Sequence, residues 1–302
     1  MSIYNKSGSV LSECYNKAGS SLNIAYDKLG NAVFSKSIGT QNYSNYTATS
    51  YKTISTNNTQ GMDISNGVLF QFRGTSSMTV NNTVSLFDWA SGSSIKSSME
   101  IESGHANAVA FSNTLYDQND EFPVIYCGDW FDPIVHVNRV SRSEATHLYD
   151  IIMSTSDTGY HPNPCIDFDN NILYMVGYTN TTTTSSTDNL IVVSKWDLSD
   201  MTDNGDGTFT PTKLGKYTRD FIYVLQDLKF NDGYIWMVTG MNNSTMYLRA
   251  LNPDTGVLDY SLAMPITTEI EGLKWEFDDN TNLWFAYVGF MGGTYYKVTF
   301  TQ

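Results

Sequence analysis

The feature that most constrains the fold of this chain is a motif that recurs five times from Gln60 onward. Each copy begins with a small or polar residue, continues through alternating apolar positions and an Asn-, Asp- or Gly-rich turn, and ends in a strongly apolar run. Such a turn between two apolar runs is typical of a β-hairpin. The last apolar residue of the first run recurs at intervals of 45 to 62 residues, at Ile64, Phe111, Phe168, Phe230 and Trp275. The sequence therefore predicts five copies of one hairpin unit.

A third strand is predicted after each hairpin, and a weaker fourth strand follows a further turn. No window has the sustained periodicity and end caps of a helix. A unit of about 40 to 50 residues with four strands is typical of a β-propeller blade, and stacking such sheets around an axis buries both faces of each. We therefore predict an all-β chain that forms a five-bladed β-propeller with an extended N-terminal arm of β-repeats. A β-sandwich or β-helix is the alternative; a sandwich explains the alternation but not the recurrence of the whole unit.

The repeat also predicts where the blades begin and end. The propeller spans residues 41–302, and a strand near residues 45–55 closes the ring beside the final strand of the chain. The predicted blades lie near residues 60–100, 101–155, 160–215, 222–265 and 266–302.

Residues 1–40 contain a second, shorter repeat. Three copies of Tyr-[Asn/Asp]-Lys-x-Gly-[Ser/Asn] follow one another in steps of 11 residues. Each copy is predicted to be a short extended segment closed by a Gly turn, and it buries little surface alone, so it needs a neighbouring subunit, a receptor socket or the following domain as partner. We predict an anchoring arm whose key residues are Tyr4, Gly8, Tyr15, Gly19, Tyr26 and Gly30.

Charge and apolar content exclude several classes of partner. Lys and Arg number 17 against 31 Asp and Glu, a net charge of −14, whereas nucleic-acid binding needs clustered basic residues. No run approaches the roughly 18 apolar residues of a membrane span, and residues 1–6 lack the apolar core of a secretory signal. We expect no nucleic acid partner, no membrane insertion and no ordinary secretion. Cys127 and Cys165 lie in apolar surroundings and are expected to be buried.

Two histidines are the first candidates for a site. His105 and His161 occupy comparable positions at the start of the second and third predicted blades. Because such loops converge on one end of a propeller channel, the two side chains are expected to face each other across its mouth. There they can bind a metal or polar groups of a ligand; the alternative is that each is a loop histidine that caps a neighbouring turn.

The segment 129–132 is the second candidate, and its chemistry suits a sugar. Asp129, Trp130, Phe131 and Asp132 follow the apolar hairpin of the second blade. Aromatic faces stack on the C–H faces of sugar rings, and carboxylates accept hydrogen bonds from hydroxyl groups. We therefore predict these four residues as glycan contacts, with packing of Trp130 in the core as the alternative.

Catalytic and metal-binding signatures are missing from the sequence. It contains no zinc-protease, nucleophile-elbow, phosphate-loop or dinucleotide motif. Residues 203–207 (Asp-Asn-Gly-Asp-Gly) are similar to the start of a calcium loop, but no Glu follows at the closing position of an EF-hand. We predict a hairpin turn there, no metal ligands and no cofactor, with a divalent cation such as calcium as the alternative.

Residues 60–64, 104–109 and 269–273, at the start of successive blades, resemble the TagC-like β-propeller of bacteriophage receptor-binding proteins, a module similar to a teichoic-acid biosynthesis protein. The N-terminal repeats resemble the leaders with which phage structural proteins dock onto the particle. The resemblance implies recognition of the host surface and carries no enzymatic site. The strong acidity departs from what a binder of anionic teichoic acid should show, so the expected ligand is a neutral polysaccharide or a protein.

The resulting hypothesis is a receptor-binding protein of a phage tail or capsid fibre. It is expected in the virion, anchored to other virion proteins by residues 1–40, assembled as a homotrimer and bound to a bacterial surface glycan. One alternative is a propeller enzyme, either a glycan lyase or hydrolase or a metal-dependent lactonase, that uses His105, His161 and channel carboxylates. The other alternative is a purely structural virion component.

Overall fold

The computed structural model describes residues 41–54, 60–73, 81–181, 189–220 and 224–301, together with the backbone of four short strands before residue 41. Those strands form two antiparallel pairs. They are β1 (Cys14–Tyr15), β2 (Ser21–Leu22), β3 (Ile24–Tyr26) and β4 (Ala32–Ser35).

The predicted anchoring arm falls mostly on residues that the structure does not describe. Tyr4, Gly8, Gly19 and Gly30 lie outside the described residues. Tyr15 ends β1 and Tyr26 ends β3, and only their backbone is described. The anchoring role of these six residues therefore stays a prediction.

The rest of the described chain is built from strands and one helical turn, α1 (Thr155–Thr158). The prediction of an all-β chain is confirmed. The strands are β5 (Tyr46–Thr53), β6 (Met62–Ser65), β7 (Val68–Arg73), β8 (Asn81–Asp88), β9 (Ser94–Glu102), β10 (Val109–Phe111), β11 (Ile125–Gly128), β12 (Ile134–Val140), β13 (Ala145–Ile152), β14 (Tyr160–Asp167), β15 (Ile172–Tyr178), β16 (Leu190–Asp203), β17 (Thr208–Asp220), β18 (Leu225–Asn231), β19 (Tyr234–Thr239), β20 (Tyr247–Leu251), β21 (Leu258–Ala263), β22 (Ile270–Asp278), β23 (Leu283–Phe290) and β24 (Thr294–Phe300).

These strands form five groups of four antiparallel neighbours. Four groups follow the chain directly, namely β6–β9, β10–β13, β14–β17 and β18–β21. The fifth group joins β22–β24 to β5, which pairs antiparallel with β24 from Phe300↔Tyr46 to Thr294↔Thr53. The last sheet is therefore completed by a strand that precedes all the others in its ring.

Two of the groups merge into one eight-stranded sheet. β13 pairs in parallel with β17 through Asp150↔Thr208 and Ile151↔Phe209, and β10 also contacts β14, so this sheet is nearly closed. The joining strand β17 forms a long hairpin with β16, and only residues 204–207 separate the two strands. β16 continues to Asp203 because Leu198 and Met201 pack against the apolar residues between the two groups.

The first strands of the five groups form a closed ring of contacts. β6 contacts β10 and β22, β14 contacts β10 and β18, and β18 contacts β22. Each neighbouring pair of groups encloses one apolar cluster, so the core consists of five separate layers between sheets. Burial of one Phe or Leu in such a layer contributes about 1.5–3 kcal/mol.

Residues ahead of β5 belong to this folded body. Tyr43 is buried between Trp236, Trp275 and Phe300 with ring centroids 4.8 to 5.9 Å apart. Its hydroxyl donates to Asp232 Oδ2 at 2.8 Å, and burial raises the pKa of Tyr43 far above its usual value. Gln41 exchanges two hydrogen bonds with the backbone of Trp284. The body therefore begins at or before residue 41.

One smaller prediction is also confirmed by the structure. Cys127 and Cys165 are buried free thiols, as the sequence predicted. Among the described residues, no helix is long and apolar enough to cross a membrane.

Candidate functional site

The candidate site lies at the end of the ring where the first strands of the groups begin. The loop before β10, the loop between β11 and β12, and the first residues of β14 meet there. Gly104 has a φ of +53°, and a Cβ at this position would lie 2.5 Å from Cγ of Asp129. Glycine therefore lets the loop that carries His105 pass close to the loop that carries Trp130.

Trp130 contacts three other rings from these segments. The His161 ring stacks on it with centroids 4.1 Å apart and an interplanar angle of 23°. The centroids of His105 and Phe131 lie 5.5 and 5.3 Å from that of Trp130. The two histidines thus share contact with Trp130 instead of facing each other across an open mouth. We call Trp130, His105, Phe131 and His161 the Trp130 cluster.

His161 is fixed in an unusual backbone conformation. Its φ is 51°, a region that few residues other than Gly adopt. Nδ1 contacts the Trp130 carbonyl oxygen at 3.3 Å and Nε2 contacts the Thr181 carbonyl oxygen at 3.1 Å. Because both ring nitrogens face backbone carbonyls, His161 positions Trp130 and offers a ligand mainly its ring.

A cavity of about 220 Å³ opens beside Trp130. Two residues of its wall each carry a buried polar atom that lacks a hydrogen-bond partner among the described residues, Nε1 of Trp130 and Oδ1 of Asn107. One atom is a donor and the other an acceptor. A buried polar group left unpaired costs about 1–3 kcal/mol, so both atoms favour a hydroxylated ligand or water.

The opposite wall of this cavity carries two glutamates. Glu269 accepts hydrogen bonds from Gln226 Nε2 at 2.6 Å and Asn242 Nδ2 at 3.0 Å. Glu271 is only 2% exposed. Burial, with the negative charges of Glu269 and Asp227, raises the pKa of Glu271 well above its usual value. The protonated carboxyl group is therefore favoured, and it can donate a hydrogen bond.

The two aspartates of the segment 129–132 are placed differently from each other. Asp129 is 8% exposed, accepts from the Phe131 amide at 3.0 Å and lies 3.9 Å from His136 Nε2. Although burial opposes it, these partners lower the pKa of Asp129. The Asp129 carboxylate is thus buried and stabilises the loop through these contacts, whereas Asp132 is exposed. The structure brings together Trp130, Phe131, His105 and His161, but not the Asp129 carboxylate.

A buried charged cluster at the other end of the first strands was not expected from the sequence. Asp63 Oδ2 accepts from the Phe111 amide at 2.9 Å, and Lys274 Nζ lies 2.8 Å from Asp63 Oδ1. Asp227 repeats this arrangement, because its Oδ2 accepts from the Leu273 amide at 2.9 Å. Each carboxylate therefore joins its own strand to the first strand of the next group.

Lys229 completes this cluster from β18. Its ammonium group lies 3.3 Å from Asp227 Oδ2 and also donates to the carbonyl oxygens of Met62 and Val109. Although burial acts in the opposite direction, the two lysines lower the pKa of Asp63, and burial raises the pKa of Asp227 to about 7. The contacts span three groups, so the cluster ties the ring together.

The segment with calcium-loop character forms a turn, as favoured above. It connects β16 and β17, and Asp203 Oδ1 accepts from the Gly205 amide at 2.8 Å. Asp206 Oδ1 accepts from the Thr208 amide and hydroxyl at 3.1 and 2.7 Å. Both carboxylates are thus used within the hairpin.

Comparison with known proteins gives distant structural neighbours only. No family model and no curated protein matches the sequence. The chain is similar to the tail fibre of Staphylococcus aureus phage P68, with 12% identity, coverage of 82% of this chain and 51% of that chain, and a TM-score of 0.47. It is also similar to Sqt1 of Saccharomyces cerevisiae, with 9% identity, coverage of 76% and 54%, and a TM-score of 0.36. The chain spans about half the length of each, and likenesses this low assign no function.

Proposed function

We propose that this protein is a virion-associated receptor-binding protein, part of a phage tail or capsid fibre, that binds a bacterial surface glycan at the Trp130 cluster. The observation that carries the proposal is the arrangement around Trp130. Four aromatic rings from three segments form one cluster, and two of them, Trp130 and His105, line a cavity whose wall residues include an unpaired donor and an unpaired acceptor. This combination of ring faces and polar atoms suits the two kinds of surface on a sugar.

The volume of the cavity limits the size of the ligand that it can hold. At about 220 Å³, it is smaller than the roughly 300 Å³ at which pockets for drug-sized ligands begin. One sugar unit, placed against Trp130 with hydroxyl groups near Nε1 and Asn107 Oδ1, fits this space. The remaining units of a chain then extend past Phe131 and the exposed Asp132.

The charge around the cavity favours a neutral glycan. No Lys or Arg is among the described residues that line it, whereas Glu269 and Glu271 are. An anionic polymer such as teichoic acid gains no ion pair there and is repelled by the net charge of −14. A neutral polysaccharide pays no such penalty.

We further propose that the five groups of strands form the blades of a five-bladed β-propeller. Support comes from the closed ring of first strands, from the five apolar layers between neighbouring groups, and from β5, which completes the last sheet. On this view, the parallel pair between β13 and β17 is a side contact between the outer strands of adjacent blades. The Trp130 cluster then lies at one mouth of the central channel.

Binding to host cells tests the proposed function, with Trp130→Ala as the decisive variant. Loss of the stacking surface and of the Nε1 donor should weaken binding at least tenfold, equivalent to about 1.4 kcal/mol. Trp130→Phe keeps an aromatic ring but loses the Nε1 donor, so its affinity should lie between those of Trp130→Ala and the unmodified protein. The measurement is titration of fluorescently labelled protein onto cells and onto purified host cell-wall polysaccharide.

Tyr116→Ala is the matched control for this experiment. Tyr116 is an aromatic side chain that is 61% exposed and contacts Arg139 away from the cavity. The Tyr116→Ala variant should bind host cells and polysaccharide with the affinity of the unmodified protein. Equal binding by Trp130→Ala and Tyr116→Ala would contradict the assigned site. Absence of any cell binding would instead favour a purely structural virion component.

A glycan lyase or hydrolase is the second candidate function, and the glutamate pair favours it. Buried carboxyl groups with raised pKa values are typical of general acids in glycosidases, and both Glu269 and Glu271 have a raised pKa. Incubation with host polysaccharide should then release reducing ends or unsaturated products. Release that is abolished by Glu271→Gln would establish the enzyme, and no release would leave binding as the function.

A further inference from the structure

We propose that Glu102, His136 and His147 bind a divalent transition-metal ion, with Zn²⁺ the expected ion, where β9 meets the sheet of β12 and β13. A nitrogen of each imidazole and a carboxylate oxygen of Glu102 lie within 4.8 Å of one another. Two imidazoles and one carboxylate form a donor set that zinc uses in open, three-ligand sites. The site is separate from the cavity at Trp130 and from the ring-joining lysines.

Neighbouring strands bring these residues together from distant parts of the sequence. Glu102 ends β9, the outer strand of the first group, and contacts between β9 and both β12 and β13 place it against the second group. His147 Nδ1 lies 3.4 Å from Glu102 Oε2. The Asn138 side chain donates to the Glu102 carbonyl oxygen at 2.8 Å, so the end of β9 is fixed beside the histidines.

A second carboxylate orients both imidazoles. Asp150 Oδ1 lies 2.8 Å from His136 Nδ1 and 3.3 Å from His147 Nε2. In metal sites, a carboxylate bonded to a ligating imidazole fixes its orientation and increases its basicity. Asp150 can serve in this way, or it can bind the metal as the fourth ligand through a carboxylate oxygen. The ligand atoms of a tetrahedral zinc site lie roughly 3.4 Å apart, so closing the site needs only small side-chain shifts.

The charge balance of the cluster also favours a cation. Three carboxylates, from Glu102, Asp129 and Asp150, surround two imidazoles, and His136 is 2% exposed. Even with one imidazole protonated, negative charge is in excess in a partly buried place. Nε2 of His136 and Nδ1 of His147 are buried and make no hydrogen bond among the described residues. Their nearest carboxylates lie 3.9 and 3.4 Å away, so each ring has a nitrogen that can bind a metal ion.

Metal binding here would stabilise the loop that carries Trp130. His136 Nε2 lies 3.9 Å from the Asp129 carboxylate, which accepts from the Phe131 amide. A metal that fixes His136 therefore also fixes the base of the segment 129–132. The ion is thus expected to link the first and second groups of strands and to stabilise the conformation of the segment 129–132 at the candidate glycan site.

Calorimetric titration of the metal-free full chain with ZnCl₂ tests this proposal. We expect one Zn²⁺ per chain, bound more tightly than Ca²⁺, because imidazole is a poor ligand for calcium. His147→Gln should weaken zinc binding at least tenfold. Glu102→Gln should do so too, and it keeps the test valid if the histidine variant fails to fold, because the Glu102 side chain is 37% exposed.

Glu144→Gln is the control, since it removes an exposed carboxylate from the turn between β12 and β13, outside the cluster. Its zinc affinity should equal that of the unmodified protein. The melting temperature should rise with zinc in these two proteins and not in the His147 and Glu102 variants. Zinc binding that is equal in all four proteins, absent, or weaker than calcium binding would overturn the proposal.

Discussion

Trp130 is the residue on which the proposed binding depends, and its surroundings explain why it is available. His161 covers one part of the indole by stacking and is itself held by two backbone carbonyls. The indole is therefore rigid, yet its Nε1 has no partner among the described residues. A rigid aromatic ring loses little conformational entropy on binding, which favours its use as a contact surface.

Glu271 gives a prediction about pH at the same scale. Burial raises the pKa of Glu271 well above its usual value in the folded protein, so above that usual value the folded state binds this proton more strongly than the unfolded state does. The free energy of unfolding should therefore fall as pH rises above about 5, by at most about 1.4 kcal/mol per pH unit from this group, until the folded carboxyl group has also lost its proton. Glu271→Gln should reduce that slope, as measured by urea denaturation across this range.

Burial raises the pKa of Asp227 to about 7, and the charge of Asp227 contributes to the raised pKa of Glu271, so Glu271→Gln changes the slope through both carboxyl groups. Interactions with Asp129 and Asp150 outweigh burial and raise the pKa of His136 to about 9, which also lowers stability as pH rises, but equally in both proteins. Glu144→Gln, at an exposed position, should keep the slope of the unmodified protein. Identical slopes for all three proteins would show that Glu271 is not protonated in the folded state.

At the scale of elements, two aspartates join the first strands in the same way. Asp63 accepts from its neighbour Ile64 and from the Phe111 amide of the next group. Asp227 accepts from Leu228 and from the Leu273 amide. The two carboxylates satisfy backbone donors that would otherwise be buried and unpaired at the centre of the ring.

Asp63→Ala should therefore be strongly destabilising. It leaves the Lys274 ammonium group and the Phe111 amide without this partner, and breaking a buried ion pair from one side costs about 3–5 kcal/mol. Chemical denaturation measures the loss. The exposed Asp220→Ala should change stability by less than about 0.5 kcal/mol, and a similar small loss for Asp63→Ala would contradict the joining role.

Much of the strand content could be predicted because the inner strands are continuous apolar runs. The strongly apolar runs that end the first and third copies of the repeat begin at Val68 and Ile172, and β7 and β15 start at these two residues. The length of β16 was missed, because polar residues after Trp196 are typical of a loop. β16 is extended by its contact with another group of strands. The local alternation of apolar and polar residues does not indicate contacts between groups.

The candidate site was predictable only in part, for the same reason. Trp130 and Phe131 are predictable because they are aromatic residues that follow a hairpin next to two aspartates. His105 and His161 are predictable because they occupy comparable positions at the start of two blades. The burial of Asp129 depends on its contact with His136, on the neighbouring strand β12. His136 and His147 occupy ordinary strand positions, and nothing in their spacing indicates that Glu102 lies beside them.

At the scale of the whole molecule, stability depends on every group having two neighbours. Each apolar layer belongs to two groups, and the layer with Trp236, Trp275 and Phe300 includes Tyr43 from the segment ahead of β5. A ring held in this way exposes few strand edges. Its closure requires β5 beside β24.

Two truncations separate the arm from the ring. Removal of residues 1–40 should leave a folded protein with an unchanged melting temperature, which no longer joins the virion. Removal of residues 1–54 deletes Tyr43 and β5, exposes the edge of β24, and should lower the melting temperature or prevent folding. Circular dichroism measures folding, and mass spectrometry of purified particles measures incorporation. Unfolding of the shorter truncation would contradict this division of the chain.

The most direct test of the central claim is a crystal structure of the protein with an oligosaccharide released from the host cell wall. The account predicts a sugar ring against the face of Trp130, with hydroxyl groups within hydrogen-bond distance of Trp130 Nε1 and Asn107 Oδ1. A glycan bound elsewhere on the molecule, or soaked crystals in which that cavity holds only water, would contradict it.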